Sequence, residues 1–238
     1  MNTKKTFRIG YKYKSHSDIF YNEEKYTDDR RVNIFASNFE DIILNYDVKK
    51  LDSVDLVFIP VLQGDHFYVL CFHLKTGKIE LIDNSAAEQE FKDRYKGLPD
   101  TLRRVLVLYL KKALKPTPAI EELGTSEIER KEMDWRTENN GVDCGVFTMR
   151  HMETYKGEKT PWVTGFVKEN EVNNRQNSQL RLLKHRYLSK IILSEHNVHR
   201  EQVIKKENAF DKRPDKEKYM KDLEKIIPDR LSAFIGKD

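Results

Sequence analysis

The sequence predicts an α+β fold in which a small sheet packs against helices. Three observations predict it. Two apolar runs, residues 54–62 (VDLVFIPVL) and 66–74 (HFYVLCFHL), stand close together and have strand composition. The turn signal KTGK at 75–78 joins the second run to a third, KIELID at 78–83. Helical patterns follow those strands, and one of them opens at Cys144.

Taken in order, residues 6–14 alternate, with Phe7, Ile9, Tyr11 and Tyr13 against Arg8, Lys12 and Lys14. That is a half-buried strand with a basic outer face, as a charged sheet edge has. Residues 15–26 read as loop and 28–46 carry helical periodicity. After the three central strands, 101–114 (TLRRVLVLYLKKAL) is an amphipathic helix. A turn at 140–143 runs into a second helix reaching about Tyr155, and 179–193 forms a third. Its stripe is Leu180, Leu183, Tyr187, Leu188 and Ile191. Past Ser194 the composition turns charged: 207–216 (ENAFDKRPDK) reads as a linker and 216–227 as a short amphipathic helix.

Composition narrows the function. The 238 residues hold 43 basic and 39 acidic side chains, a net charge of +4. A nucleic-acid binder would carry a stronger basic excess. The two cysteines, Cys71 and Cys144, make neither a disulfide framework nor a metal-ligand spacing, so a reducing compartment is expected. No run approaches a membrane span, and the N-terminus lacks a signal-peptide core. No metal or cofactor is expected.

The chemistry concentrates in NNGVDCGVFTMRHME, residues 139–153. Asn140-Gly141 is a turn signal, Asp143 a plausible N-cap, and Cys144 opens the helix. Unpaired N–H groups and the helix dipole favour a thiolate there, and the same groups could hold an oxyanion. Gly145 lets another group approach closely. The competing reading is a structural cysteine. A nucleophile needs a base, and His66 follows a Gly-Asp turn at a strand mouth, where it is otherwise a surface histidine. Asp83 closes the next strand, seventeen residues on. It could hold the imidazole tautomer, or simply form a turn. With Thr76-Gly77 as a two-residue loop, His66 and Asp83 share a face but stand four residues out of register, roughly 13 Å. A bulge, twist or wider loop must close that gap. Cys71 and His73 share a strand face, but mid-strand in an apolar run such a thiol is inert core. His151 lies about 10 Å along the helix from Cys144, too far to act on it.

These residues resemble a family. HFYVLCFHLKTGKIELIDNS resembles the His–strand–hairpin–Asp block of the ubiquitin-like-modifier (SUMO/sentrin-specific, Ulp-type) cysteine proteases. NNGVDCGVFTMRHME resembles their nucleophile block, with wording around Cys144 closest to plant members, including transposon-associated ones. The resemblance is firm over 54–155. It implies a papain-related, adenain-like fold and hydrolysis after a modifier's C-terminal Gly-Gly, in deconjugation or precursor processing. His66 would be general base, Asp83 its orienter and Cys144 the nucleophile. It also implies a catalytic domain over 1–194 with a charged, mostly helical extension over 195–238. The expected partner is a SUMO-like modifier and its conjugates, with no nucleic acid or membrane. The expected state is a monomer, and the expected place is the nucleus or cytoplasm.

Departures from the family pattern bear on the substrate site. The family's oxyanion Gln, six residues before the nucleophile, is here Glu138, which cannot donate while ionised. Asn139, Asn140 or backbone N–H groups could substitute. The Trp after the family's histidine is Phe67, and no Trp precedes Trp135 to cover a Gly-Gly tail. The stretch before Val54 is short for the family's N-terminal lobe, as if the chain began inside the domain. Two alternatives to modifier cleavage stand: an inactive modifier-binding module that keeps the fold, and a transposon- or virus-like protease that processes polypeptides.

Overall fold

The structure is a computed structural model. It describes residues 6–8, 20, 25–45, 51–157, 161–169, 171 and 174–223. The chain forms two compact units, Met1–Arg181 and Leu182–Asp238.

Among the described residues the first unit is built on five strands, β1 (Thr6–Arg8), β2 (Leu56–Gln63), β3 (His66–His73), β4 (Ile79–Ile82) and β5 (Ile128–Arg130), in the order β1-β2-β3-β4-β5. β2, β3 and β4 are antiparallel neighbours, while β1 and β5 pair parallel at the two edges. The expected strand over 6–14 is described for Thr6–Arg8 alone, and that part does lie at an edge. β2 turns into β3 through Gly64-Asp65, with Gly64 at φ +63° as a two-residue primed turn requires. Pro60 falls past Phe58, the last β2 residue paired with β1, where a missing N–H costs no described ladder bond.

Both faces of the sheet are covered, so β2 and β3 read as continuous apolar runs rather than alternating ones. On one face Val57, Ile59 and Val61 join Tyr68, Leu70, Phe72, Ile79 and Leu81 in the main core. Three helices supply its other wall: α1 (Asp28–Asn45), α3 (Leu98–Ala113) and α4 (Pro118–Thr125). Phe35 and Phe39 of α1 stack 5.4 Å apart and meet the edge of Tyr109 of α3. α4 starts where Thr117 caps the Ile120 N–H at 3.3 Å and Pro118 fixes the first turn. A one-turn helix, α2 (Phe91–Tyr95), precedes α3. On the opposite face Leu56, Phe58, Val69, Cys71 and Ile82 pack with Met133 and Tyr155. Here α5 (Cys144–Thr154) lies against β3.

α6 (Arg175–Ile192) runs across the division between the units. Of its expected stripe, Leu180 and Tyr187 are buried, Leu183 is half-buried, and Leu188 and Ile191 are exposed. In the second unit the expected linker over 207–216 is a correction. α7 (Arg200–Asp211) covers its first half, and Pro214 stands just beyond the helix end. Charge alone had suggested a linker, yet Phe210 meets the edge of Tyr219 at 5.6 Å with the Arg213 guanidinium over both rings. Residues 216–223 are helical, within the expected 216–227. Among the described residues no helix is long and apolar enough to cross a membrane.

Candidate active site

The β3–β4 hairpin decides whether His66 and Asp83 meet. A two-residue loop would leave them four residues out of register. The observed ladder pairs Val69 with Ile82 and Phe72 with Ile79, and the His73 N–H donates to the Lys78 carbonyl at 2.9 Å. The loop is therefore four residues long, 74–77, closed by the Gly77 N–H on the His73 carbonyl at 2.9 Å. Continuing the ladder sets Asp83 across from Tyr68, two positions from His66 and on its face, a diagonal neighbour at about 7 Å. Side chains span that distance: His66 Nε2 meets Asp83 Oδ1 at 2.7 Å.

Asp83 is fully buried and saturated with donors. Oδ1 also accepts the Ser85 N–H at 2.9 Å. Oδ2 accepts Arg94 Nε at 3.1 Å, Arg94 Nη2 at 3.0 Å and the Tyr95 hydroxyl at 2.7 Å. Burial disfavours the charged carboxyl, but the His66 hydrogen bond and charge, with Ser85 and Arg94, hold it far below the usual carboxylate range.

Cys144 begins α5, and Asp143 occupies the N-cap position without a side-chain capping bond. Instead the Asn140 side chain organises the loop. Its Oδ1 accepts the N–H groups of Val142 and Asp143, and its Nδ2 donates to Asp143 Oδ2 at 3.0 Å. Cys144 Sγ is 3.8 Å from the Asp65 carbonyl, which ties it to the β2–β3 turn. Burial raises the thiol, but a hydrogen bond with His66 and the backbone N–H groups of Phe67 and Gly145 bring it below its ordinary value. For His66, burial opposes the imidazolium. Its bonds to Asp83 and Cys144, with their charges, outweigh burial and push the pKa up to about 9. The site can therefore hold a thiolate beside an imidazolium.

The remaining expected site residues surround this pair. A Cβ placed on Gly145 would touch the Phe67 ring at 3.7 Å, so Phe67 packs over the start of α5. Glu138 and Asn139 are exposed, and their backbone N–H groups are held by Glu169 at 2.8 and 3.0 Å. Sequence reasoning did not single out Arg94, Tyr95 or Glu169. The stretch EFKDRYKG reads as a solvated charge cluster, and nothing in its pattern shows that an Arg and a Tyr turn inward.

Buried polar groups also lie outside the site. Cys71, His73 and Glu80 bring ligand-type atoms within 4.8 Å of one another. Their polar atoms already serve each other: Glu80 takes His73 Nε2 at 2.7 Å, Lys131 Nζ at 2.9 Å and the Tyr155 hydroxyl. Against the cost of burial, those three donors hold Glu80 at about 2. His151 Nε2 accepts the Trp135 indole N–H at 3.0 Å, and burial lowers its pKa to about 3.

A thiol at a helix start, facing an imidazole–carboxylate pair on the sheet beneath, defines a papain-related α+β cysteine-peptidase domain. The chain belongs to the Ulp1 protease family: the model of that family's C-terminal catalytic domain matches residues 21–191. No curated protein matches the chain. Among solved structures, it is similar to the C-terminal Ulp1 protease domain in complex with Smt3, the yeast ortholog of SUMO. That likeness has 14% identity and TM-score 0.38, over 64% of this chain and 57% of the other. A SUMO protease Ulp1 with its catalytic cysteine oxidised to a sulfonic acid is 15% identical, with TM-score 0.41, over 70% and 68%. A de-sumoylating protease is also 15% identical, with TM-score 0.40, over 86% and 79%. The chain thus spans little more than half the length of the first of these.

Proposed function

We propose that this chain is a thiol peptidase that cleaves after the C-terminal Gly-Gly of a ubiquitin-like, SUMO-like modifier, freeing conjugates or maturing precursors. The observation that carries the reading is the His66–Asp83 bond of 2.7 Å beside a thiol that His66 and two backbone N–H groups favour as thiolate. Cys144 attacks the scissile carbonyl. The oxyanion forms beside the N–H groups at the start of α5. His66 protonates the leaving amine and then activates water against the thioester, while Asp83 fixes its tautomer. The catalytic domain is assigned to 1–194 and the extension to 195–238, in a monomer of the nucleus or cytoplasm.

A panel of ubiquitin-like proteins ending in a thiol-reactive electrophile tests this, read by intact mass with wild type and Cys144→Ser. A wild-type-only adduct with a SUMO-like member is expected. No adduct with any member, while a small reagent labels Cys144 quickly, would indicate a polypeptide-processing protease. One observation favours a non-catalytic binding module: Glu138 stands exposed at the family's Gln position. That reading requires modifier binding that survives Cys144→Ser, with a sluggish thiol.

A further inference from the structure

The grip on the far side of Asp83 has no part in the reaction as written above. We propose that Arg94 and Tyr95 are positioning residues: they fix the Asp83 carboxylate and set how strongly its Oδ1 holds the His66 imidazolium. This rests on the proposed thiol-peptidase reading and adds to it a second layer, drawn from α2.

Geometry carries the proposal. Two of the three donors on Oδ2 come from one guanidinium, at 3.1 and 3.0 Å, and the third is the Tyr95 hydroxyl at 2.7 Å. All three converge on one oxygen and fix its place, and with Oδ1 held by the Ser85 N–H and His66 the carboxylate plane is fixed as well. Oδ2 is thereby occupied and only Oδ1 faces His66. The grip is itself braced. Tyr95 is buried and meets Tyr68 of β3 edge-on at 5.0 Å. The Tyr68 hydroxyl donates to Gln63 Oε1 at 3.0 Å, and Gln63 Nε2 donates to the Arg94 carbonyl at 3.4 Å. The strand pair that carries His66 therefore also seats α2.

Electrostatics gives the direction. A cation on Oδ2 draws charge away from Oδ1, so Asp83 holds the imidazolium less strongly than an unshared carboxylate would. Other ionisable groups here are Cys144 across His66, His151 of α5, and Arg130 of β5. Arg130 bonds the Ser85 and Ala87 carbonyls at 2.5 and 3.1 Å. None of them bonds Oδ2.

The test is the rate of iodoacetamide alkylation of Cys144 against pH, read by intact mass, which needs no knowledge of the substrate. Wild type should show two steps: formation of the thiolate–imidazolium pair below an ordinary thiol's pKa, and loss of the His66 proton near pH 9. In Arg94→Gln both steps should move up by about half a pH unit or more. Arg94→Lys should return them toward wild type. Tyr95→Phe keeps its ring packing and removes one neutral donor, so both steps should move up by less than in Arg94→Gln, with capture of a SUMO-like electrophile slowed several-fold. A folded Arg94→Gln protein with both steps at the wild-type pH would overturn the proposal. Should Arg94→Gln not fold, Arg94→Lys decides: an electrophile capture rate equal to wild type overturns it, and a several-fold slower rate supports it. A wild-type Cys144 that titrates as an ordinary thiol is a different result. It would remove the peptidase reading itself, and the positioning role with it.

Discussion

Glu169 Oε2 accepts the backbone N–H of Glu138 at 2.8 Å, so a carboxylate from thirty-one residues further on clamps the loop that leads to Cys144. The same side chain takes the Asn139 N–H at 3.0 Å. An ionised Glu138 cannot donate to an oxyanion, whereas Gln could. Glu138→Gln should raise kcat on a modifier substrate about tenfold or more, since one oxyanion donor is typically worth ~10²–10³. Glu169→Ala should lower it by loosening the loop. An unchanged kcat in Glu138→Gln would mean that backbone N–H groups already suffice.

The pH profile should have its alkaline limb at His66. Its folded pKa of about 9 lies above the unfolded value. The stability it contributes is complete below about 6.5 and is lost as pH rises through about 9. The thiolate–imidazolium pair is lost over the same range. kcat/KM should therefore fall above about pH 9, and Asp83→Asn should move that limb to lower pH. Initial rates from pH 6 to 10 check both.

His151 should make the protein acid-labile. Its folded pKa of about 3 lies below the unfolded value, so the unfolded chain takes up a proton first as pH falls. Stability should decline from about pH 6.5 toward 3, by up to about 1.4 kcal/mol per pH unit from this group. Urea unfolding across that range should show the slope. His151→Gln, which cannot titrate, should flatten it even if the variant is less stable throughout.

Gly77, in the β3–β4 loop against Glu122 of α4, and Gly124 of α4 itself should respond oppositely to alanine. Gly77 has φ +73°, and a Cβ there would lie 2.4 Å from Glu122 Cβ. Gly77→Ala should cost about 2–4 kcal/mol. Gly124 of α4 would meet only Val107, at 3.8 Å. Gly124→Ala should be neutral or stabilising by up to about 1 kcal/mol. Thermal unfolding of both separates backbone strain from general sensitivity of this region.

Much of this architecture is legible in the sequence, because the strongest signals are local. The apolar runs at 54–62 and 66–74 became β2 and β3, and KIELID became β4. The helices at α3 and α5 follow from periodicity and from the turn before Cys144. What escaped depends on partners distant in sequence. Three elements, α2, α4 and β5, are too short to show a period of their own. The end of α7 is charged, with no buried residue, so 207–211 looks like the start of a linker until Phe210 meets Tyr219. The inward turn of Arg94 and Tyr95 is invisible because its cause is Asp83, eleven and twelve residues away. Likewise the spacing of His66 and Asp83 could be bounded but not fixed, since loop length was the unknown.

That loop works as a spacer gauge between two chemical groups. A two-residue turn at Thr76-Gly77, with Leu74 and Lys75 drawn into β3 and Lys75 paired with Lys78, would slide β4 along β3 until Asp83 stood across from Leu70, beyond the reach of His66. A slip of β4 by one residue along β3 would turn Asp83 to the opposite side of the sheet. A change in which residues flank this turn is therefore read out at the far end of the hairpin. Variants that shift this register should separate active from inactive chains more sharply than most substitutions in the strands themselves.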